Sequence, residues 1–81
     1  MKVVEITVPS WGLEMEEATF TGWLKQVGER VEEGEPICTL ETDKAAGEVE
    51  AEVSGRLIEV VAAPGDVVKP GAVLGRIEVD G

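Results

Sequence analysis

The chain has 81 residues, which is enough for one domain, residues 1–81, and too few for a second hydrophobic core. Its 17 acidic and 7 basic residues give a formal net charge of −10, which disfavours nucleic acid and anionic membranes as partners because both are negatively charged. An interior this small rarely encloses a deep cleft, so length also disfavours a self-contained enzyme.

The first predicted element is a β-strand at residues 2–8, where Val4, Ile6 and Val8 alternate with less apolar side chains. The same two-residue period returns at residues 48–53, where glutamates alternate with Val49, Ala51 and Val53. Such alternation is typical of strands with one buried face. Glycines recur every few residues between the short apolar runs, which predicts an all-β barrel or sandwich.

An internal repeat occupies much of the remaining chain. A shift of 37 residues lays residues 18–41 over residues 55–78 without a gap. The identical pairs are Gly28/Gly65, Val31/Val68, Gly34/Gly71 and Glu41/Glu78, and the pairs that stay apolar are Phe20/Leu57, Trp23/Val60, Leu24/Val61, Ile37/Leu74 and Leu40/Ile77. Each copy reads as a strand, a glycine-bounded turn and a strand, and is too short to bury its apolar face alone. The repeat therefore predicts two copies packed face to face with pseudo-twofold symmetry.

Between the copies, Asp43 and Lys44 fall where one strand ends near Glu41 and the next begins near Glu48. This position predicts the tip of a β-hairpin. Aspartate suits such a turn because its side chain can hydrogen-bond nearby backbone groups, and lysine there projects its amine into water. By itself, a lysine on a turn is usually only a solvated charge.

The single cysteine, Cys38, lies in an apolar run and is predicted to be a buried core thiol. The chain has no histidine, and no base near Cys38 completes a nucleophile pair, so we expect no catalytic residue and no metal site. With no disulfide framework, no signal peptide and no long apolar stretch, the expected location is the cytoplasm, or the mitochondrial matrix after processing.

The run Glu41-Thr42-Asp43-Lys44-Ala45 resembles the lipoyl-attachment motif of the biotinyl/lipoyl-attachment family. The resemblance extends over nearly the whole chain and includes both glycine-bounded turns, at residues 28–34 and 65–71. It implies a flattened barrel or sandwich of two four-stranded antiparallel sheets, with Lys44 on an exposed turn at one end and both termini at the other. The segments at residues 9–15 and 22–24 are most similar to the lipoyl domains of acetoin dehydrogenase-type dihydrolipoamide acyltransferases.

The resemblance implies that lipoic acid is joined to Lys44 as an amide, with Asp43 and Ala45 as the turn context that the modifying enzyme reads. The implied role is a covalent carrier without enzymatic activity, at the amino-terminal end of a longer acyltransferase of a 2-oxo acid dehydrogenase complex. The implied partners are a thiamine-dependent decarboxylase, the acyltransferase catalytic domain, dihydrolipoamide dehydrogenase, and a lipoate ligase or lipoyl transferase.

The loop after the first strand, residues 11–15, leaves two interpretations open. Its residues are Trp11, Gly12, Leu13, Glu14 and Met15. In the family this loop lies beside the lipoyl-lysine turn and helps the decarboxylase recognise the domain, whereas Trp11 and Leu13 could also fold inward as an apolar lid. Trp23 is predicted to be core. The other lysines, Lys2, Lys25 and Lys69, are predicted to be solvated surface.

Four alternatives fit less well. Biotin carriers place methionine on both sides of the lysine, where this chain has Asp43 and Ala45. The glycine-cleavage H protein is longer, and structural adaptor barrels usually lack the Asp-Lys-Ala tip. An enzyme is the weakest alternative because the sequence offers no paired catalytic groups.

Overall fold

The computed structural model describes residues 2–10 and 16–80 and is built from β-strands, with no helix among those residues. In chain order the eight strands are β1 (Val3–Thr7), β2 (Ala18–Trp23), β3 (Arg30–Val31), β4 (Pro36–Glu41), β5 (Ala46–Glu50), β6 (Gly55–Val60), β7 (Val67–Val68) and β8 (Val73–Val79).

The strands form two antiparallel sheets of four strands each. One sheet has the order β1-β8-β6-β3 and the other has the order β5-β4-β2-β7. The two sheets pack as a flattened sandwich, 38 × 22 × 17 Å, which does not close into a continuous hydrogen-bonded barrel. The predicted fold class is therefore confirmed, in its sandwich form.

The strand positions follow the sequence repeat. Adding 37 to the bounds of β2 and β3 gives β6 and β7, and β4 maps onto the start of β8. The turn hydrogen bonds repeat as well: Gly28 N–H donates to the Leu57 carbonyl at 2.7 Å, and Gly65 N–H donates to the Phe20 carbonyl at 2.8 Å. Each copy thus sends its short strand to the sheet of the other copy, and the exchange ties the two halves into one core.

Glycine is required at the four turn positions that the repeat shares. Gly28 and Gly65 have φ of +98° and +95°, and Gly34 and Gly71 have φ of +85° and +88°. Side chains other than glycine rarely adopt this region because Cβ collides with the backbone. The matched glycines of the repeat therefore mark matched backbone geometry.

The core lies between the sheets and is apolar. Its largest fully buried side chains are Phe20, Ile37, Leu40, Leu57, Leu74, Ile77, Val31 and Cys38. Ile6 and Val8 are buried and Val4 is half-buried, so the predicted inward face of β1 is confirmed. In the second alternating run, residues 48–53, the apolar side chains face inward as predicted. The strand itself is Ala46–Glu50, and the chain bends away before Val53.

Two pairs of apolar repeat positions, Leu24/Val61 and Trp23/Val60, are less buried than their retention suggested. Leu24 and Val61 are 50% and 52% exposed, because each directly follows a strand where the chain leaves the sheet. Trp23 was predicted to be core and is half-buried at the edge of the core. Its ring packs against Phe20 with centroids 5.3 Å apart, and its Nε1 donates to the Ala62 carbonyl at 2.9 Å. The indole N–H of Trp23 needs a hydrogen-bond acceptor, which explains why this side chain lies at the edge of the core.

Candidate functional site

The candidate site is the tip of the β4–β5 hairpin. Glu41 and Ala46 form the last paired positions of the two strands, so residues 42–45 make the turn. Within it, Thr42 N–H donates to the Ala45 carbonyl at 2.6 Å, which leaves Asp43 and Lys44 as the two residues at the apex. Asp43, Lys44 and Ala45 are exposed, as the sequence predicted for a hairpin tip.

Thr42 supplies the side-chain hydrogen bonds of this turn. Its hydroxyl oxygen accepts the N–H of Lys44 at 3.3 Å and the N–H of Ala45 at 3.0 Å, and the hydroxyl donates to the Ala45 carbonyl at 3.1 Å. One donor and two acceptor positions are all that a hydroxyl has. The sequence pattern predicted this local bonding for Asp43, but the Asp43 carboxylate takes no part in it.

The turn carries Lys44 without backbone strain. No residue other than glycine has positive φ in the described ranges, so the turn is not of type I′ or II′, which require positive φ at the first apex residue. Because φ is negative at both apex residues, aspartate and lysine fit there, and the glycine that type I′ and II′ turns need is not required. Hydrogen bonds from the Thr42 side chain stabilise the turn in its place. Thr42 is thus a site residue that sequence reasoning missed. The sequence did carry a signal for this role, because a threonine hydroxyl can accept the backbone N–H two residues later and so form a turn.

The outer face of one sheet continues directly from the turn. Ala46, Glu41, Thr19 and Val67 lie in one row across the four strands β5, β4, β2 and β7, and all four are exposed. The loop of Trp11 to Met15 lies outside the described residues, so its two interpretations stay open. Residues 16–17 lead into β2, which begins at Ala18, next to Thr19 in this row.

Lys2 and Asp80, the first and last described residues, lie at the other end of β5. β5 begins at the turn with Ala46, and the chain that leaves its far end reaches Ser54, whose carbonyl accepts the Asp80 N–H at 3.2 Å. The Val79 N–H donates to the Lys2 carbonyl at 2.8 Å, so the two ends of the chain are neighbours. Arg30 holds Asp80 through two hydrogen bonds of 3.0 and 2.6 Å and keeps the pKa of that carboxyl below its usual range.

The other three lysines lie outside the β4–β5 turn. Lys2 and Lys69 are exposed as predicted. Lys25 was predicted to be solvated, yet it is half-buried, with Nζ 3.1 Å from Glu35. The pKa of Glu35 lies below its usual range because the Glu32 N–H donates to its carboxylate and Lys25 lies beside it. Lys25 is therefore held in an ion pair.

Cys38 is fully buried, as predicted, and burial raises the pKa of its thiol to about 12. A thiol that stays protonated is a poor nucleophile and a poor metal ligand. Residues 2–10 and 16–80 contain no cluster of side chains that could hold a metal ion. Nor does any helix in those ranges have the length and apolar character to cross a membrane.

Comparison with known proteins places this geometry in a family. The family model described as "Biotin-requiring enzyme" matches residues 4–77. A solved lipoyl domain, from the 2-oxoglutarate dehydrogenase complex of Azotobacter vinelandii, superposes with a TM-score of 0.76 at 36% identity, covering 96% of this chain and 99% of that one. The chain is a lipoyl domain of the biotinyl/lipoyl-attachment family. Lipoyl domains carry lipoic acid covalently on a lysine.

Curated relatives are acyltransferase components of multienzyme complexes. The dihydrolipoyllysine-residue succinyltransferase component of the 2-oxoglutarate dehydrogenase complex of Bartonella vinsonii subsp. berkhoffii is 46% identical over 91% of this chain and 18% of its own length. The dihydrolipoyllysine-residue acetyltransferase component of the acetoin cleaving system of Pseudomonas putida is 42% identical over 85% of this chain and 19% of its own length. The domain thus spans about a fifth of these relatives. Acetoin-type relatives are present, as the resemblance predicted, beside 2-oxoglutarate-type ones of similar identity.

Proposed function

We propose that the domain carries acyl groups on a lipoyl arm attached to Lys44, from a thiamine-dependent decarboxylase to an acyltransferase active site that transfers them to coenzyme A. The observation that carries this proposal is the position of Lys44, exposed at the apex of an unstrained two-residue turn in a lipoyl-family domain. Asp43 and Ala45 stand where biotin carriers place methionine, which favours lipoate over biotin.

The residues at the turn fit the attached group. Lys44 stands on an exposed tip beside the small side chain of Ala45, so an enzyme can approach Nζ. The Lys44 ammonium first loses one proton. The neutral Nζ then attacks the carboxyl carbon of the activated lipoate, the amide bond forms as the bond to the leaving group breaks, and Nζ loses a second proton. Loss of this one positive charge takes the formal net charge from −10 to −11.

When bound, lipoate supplies a dithiolane that takes up the acyl group and is reoxidised afterwards by dihydrolipoamide dehydrogenase. The chain contributes attachment, orientation and a tether. Because Lys44 and the termini lie at opposite ends of β5, a linker joined at the termini leaves the arm directed outward. Tethering of this kind raises the local concentration of the arm to about the millimolar range for suitable linkers.

The parent chain, in this proposal, is a dihydrolipoamide acyltransferase with this domain in its amino-terminal part, located in the cytoplasm. Support comes from relatives that are acyltransferase components of 2-oxoglutarate dehydrogenase, acetoin and pyruvate dehydrogenase systems. The same relatives support a thiamine-dependent decarboxylase as partner, and a lipoate ligase or lipoyl transferase is the modifying enzyme that Lys44 requires.

The test is incubation of the purified domain with a lipoate ligase or with a biotin ligase, followed by intact mass and peptide mapping. We expect one lipoyl group, on Lys44, and little or no biotin. Lys44→Arg should keep the fold, because the side chain is exposed, and should take up no lipoate. Lipoate on Lys2, Lys25 or Lys69, or efficient biotin transfer, would contradict the proposal.

A further inference from the structure

The hydroxyl of Thr42 has a role that strand pairing alone does not explain. The hairpin is already closed by the 2.6 Å backbone bond from Thr42 N–H to the Ala45 carbonyl. The hydroxyl oxygen also accepts two hydrogen bonds, from the backbone N–H of Lys44, which bears the arm, and from that of Ala45 beside it. These two contacts act on the apex of the turn.

The pseudo-twofold symmetry provides an internal control that separates strand pairing from the shaping of the turn. The shift of 37 residues places Thr42 on Val79, and the equivalence of β5 with β1 places Ala45 on Lys2. The Val79 N–H donates to the Lys2 carbonyl at 2.8 Å, which repeats the bond between Thr42 and Ala45. Valine has no hydroxyl, so the strands pair at this position without one. Of the two symmetric positions, only the one that begins a turn carries a hydroxyl.

We propose that Thr42 is a positioning residue that presents Lys44 to the lipoylating enzyme by holding the apex of the turn in one conformation. The inference rests on the proposed function, because it concerns the same lysine. In water the apex of a short exposed turn samples several conformations, and an enzyme that accepts one of them binds in proportion to the population of that one. The hydroxyl raises this population by fixing the amides of Lys44 and Ala45 relative to the strands.

The change that tests the proposal is Thr42→Val, which removes the hydroxyl with little change in shape and copies the symmetric position. We expect the KM of the lipoate ligase for the domain to rise about 5-fold, which corresponds to about 1 kcal/mol at tenfold per 1.4 kcal/mol. The kcat should stay within about twofold, because bound domain has already adopted the accepted conformation. Thr42→Ser keeps the hydroxyl and should restore a KM close to that of the unchanged protein.

Two measurements separate positioning from a general loss of structure. Thr42→Val should stay folded at the assay temperature, since the backbone bond that closes the turn remains, and its melting temperature should fall by only about 4–8 °C, the shift that about 1 kcal/mol gives in a domain of this size. Amide hydrogen exchange should become faster at Lys44 and Ala45 in Thr42→Val and stay slow in Thr42→Ser. Thr19→Val is the matched control: it removes an exposed threonine hydroxyl beside Glu41 without touching the turn, and it should leave KM unchanged.

Each other result overturns the proposal. An unchanged KM in Thr42→Val, with the unchanged protein fully lipoylated, would remove the role of Thr42 and leave the carrier function standing. An equal rise in Thr42→Val and Thr42→Ser would show that the hydroxyl is not the cause, and an equal rise in Thr19→Val would show that the effect is not specific to the turn. Unfolding of Thr42→Val would make Thr42 a structural residue. A protein that takes up no lipoate would contradict the carrier function itself.

Discussion

Thr42 and Asp43, the two residues before Lys44, have different contacts in the turn. Thr42 makes the hydrogen bonds that shape the apex, and Asp43 presents an exposed carboxylate beside the lysine. The motif placed Lys44 correctly on a hairpin tip, but spacing could not decide which of the two side chains bonds to the backbone. The side chains of Thr42 and Asp43 are both short and both can accept a backbone N–H. Which of them does so depends on the direction of the backbone at the apex.

Asp43 is therefore predicted to act on recognition and hardly on stability. Asp43→Ala should slow lipoylation of Lys44 and change the free energy of unfolding by less than about 0.5 kcal/mol, because no backbone bond is lost. Ligase kinetics and urea unfolding measure the two effects. Lipoylation of Asp43→Ala at the normal rate would contradict this role.

Asp66 provides the matched control. Its carboxylate accepts the Ala63 N–H at 2.9 Å in another turn of the domain. Asp66→Ala should cost about 0.5–1.5 kcal/mol, the usual range for a hydrogen bond, and should leave lipoylation unchanged. The two variants thus exchange their effects on stability and on modification.

At the level of elements, the repeat was the most informative feature of the sequence. Retained apolar positions and matched glycines predicted the strands, the turns and the two equivalent halves. The pattern failed where the chain leaves a sheet. Leu24 and Val61 remain apolar in both copies and are half-exposed, and the strand ending at Glu50 is shorter than its alternation. Periodicity records which face a side chain takes, while the end of a strand depends on where the next segment must go.

The turn glycines allow a test of backbone geometry alone. Gly65 has a φ of +95°, Gly22 lies in β2 without a positive φ, and an added Cβ would meet no atom within 4 Å at either position. Gly65→Ala should therefore destabilise the domain by about 1–3 kcal/mol. Gly22→Ala should be neutral or stabilising by about 0.5 kcal/mol, since it only restricts the unfolded chain. Equal destabilisation in urea unfolding would show that φ is not the reason for glycine in the turn.

At the scale of the whole molecule, Lys44 and the two ends of the described chain lie at opposite ends of β5. One end carries Lys44 and the exposed row that includes Glu41 and Thr19, and the other end holds both termini, fastened by Arg30 and Asp80. The sequence predicted this separation only through the family resemblance, because no local pattern states which ends of a sandwich meet.

Recognition of the decarboxylase by the loop of Trp11 to Met15 stays a prediction. Lipoylated Trp11→Ala, compared with the unchanged lipoylated protein at equal thermal stability, distinguishes its two interpretations. Slower acyl loading by the decarboxylase supports recognition by the loop. Equal loading with a lower melting temperature supports an apolar lid.

The most direct test of the carrier account is acyl loading of the lipoylated domain by a thiamine-dependent decarboxylase, followed by intact mass. Incubation with the decarboxylase and its substrate should add one acyl group to the lipoylated protein and none to the unlipoylated protein or to Lys44→Arg. Thiamine-dependent enzymes that act on 2-oxoglutarate, acetoin, pyruvate and branched-chain 2-oxo acids should be compared, since the relatives include all four systems. Loading of Lys44→Arg, or no loading of the fully lipoylated protein by any of the four, would contradict the account.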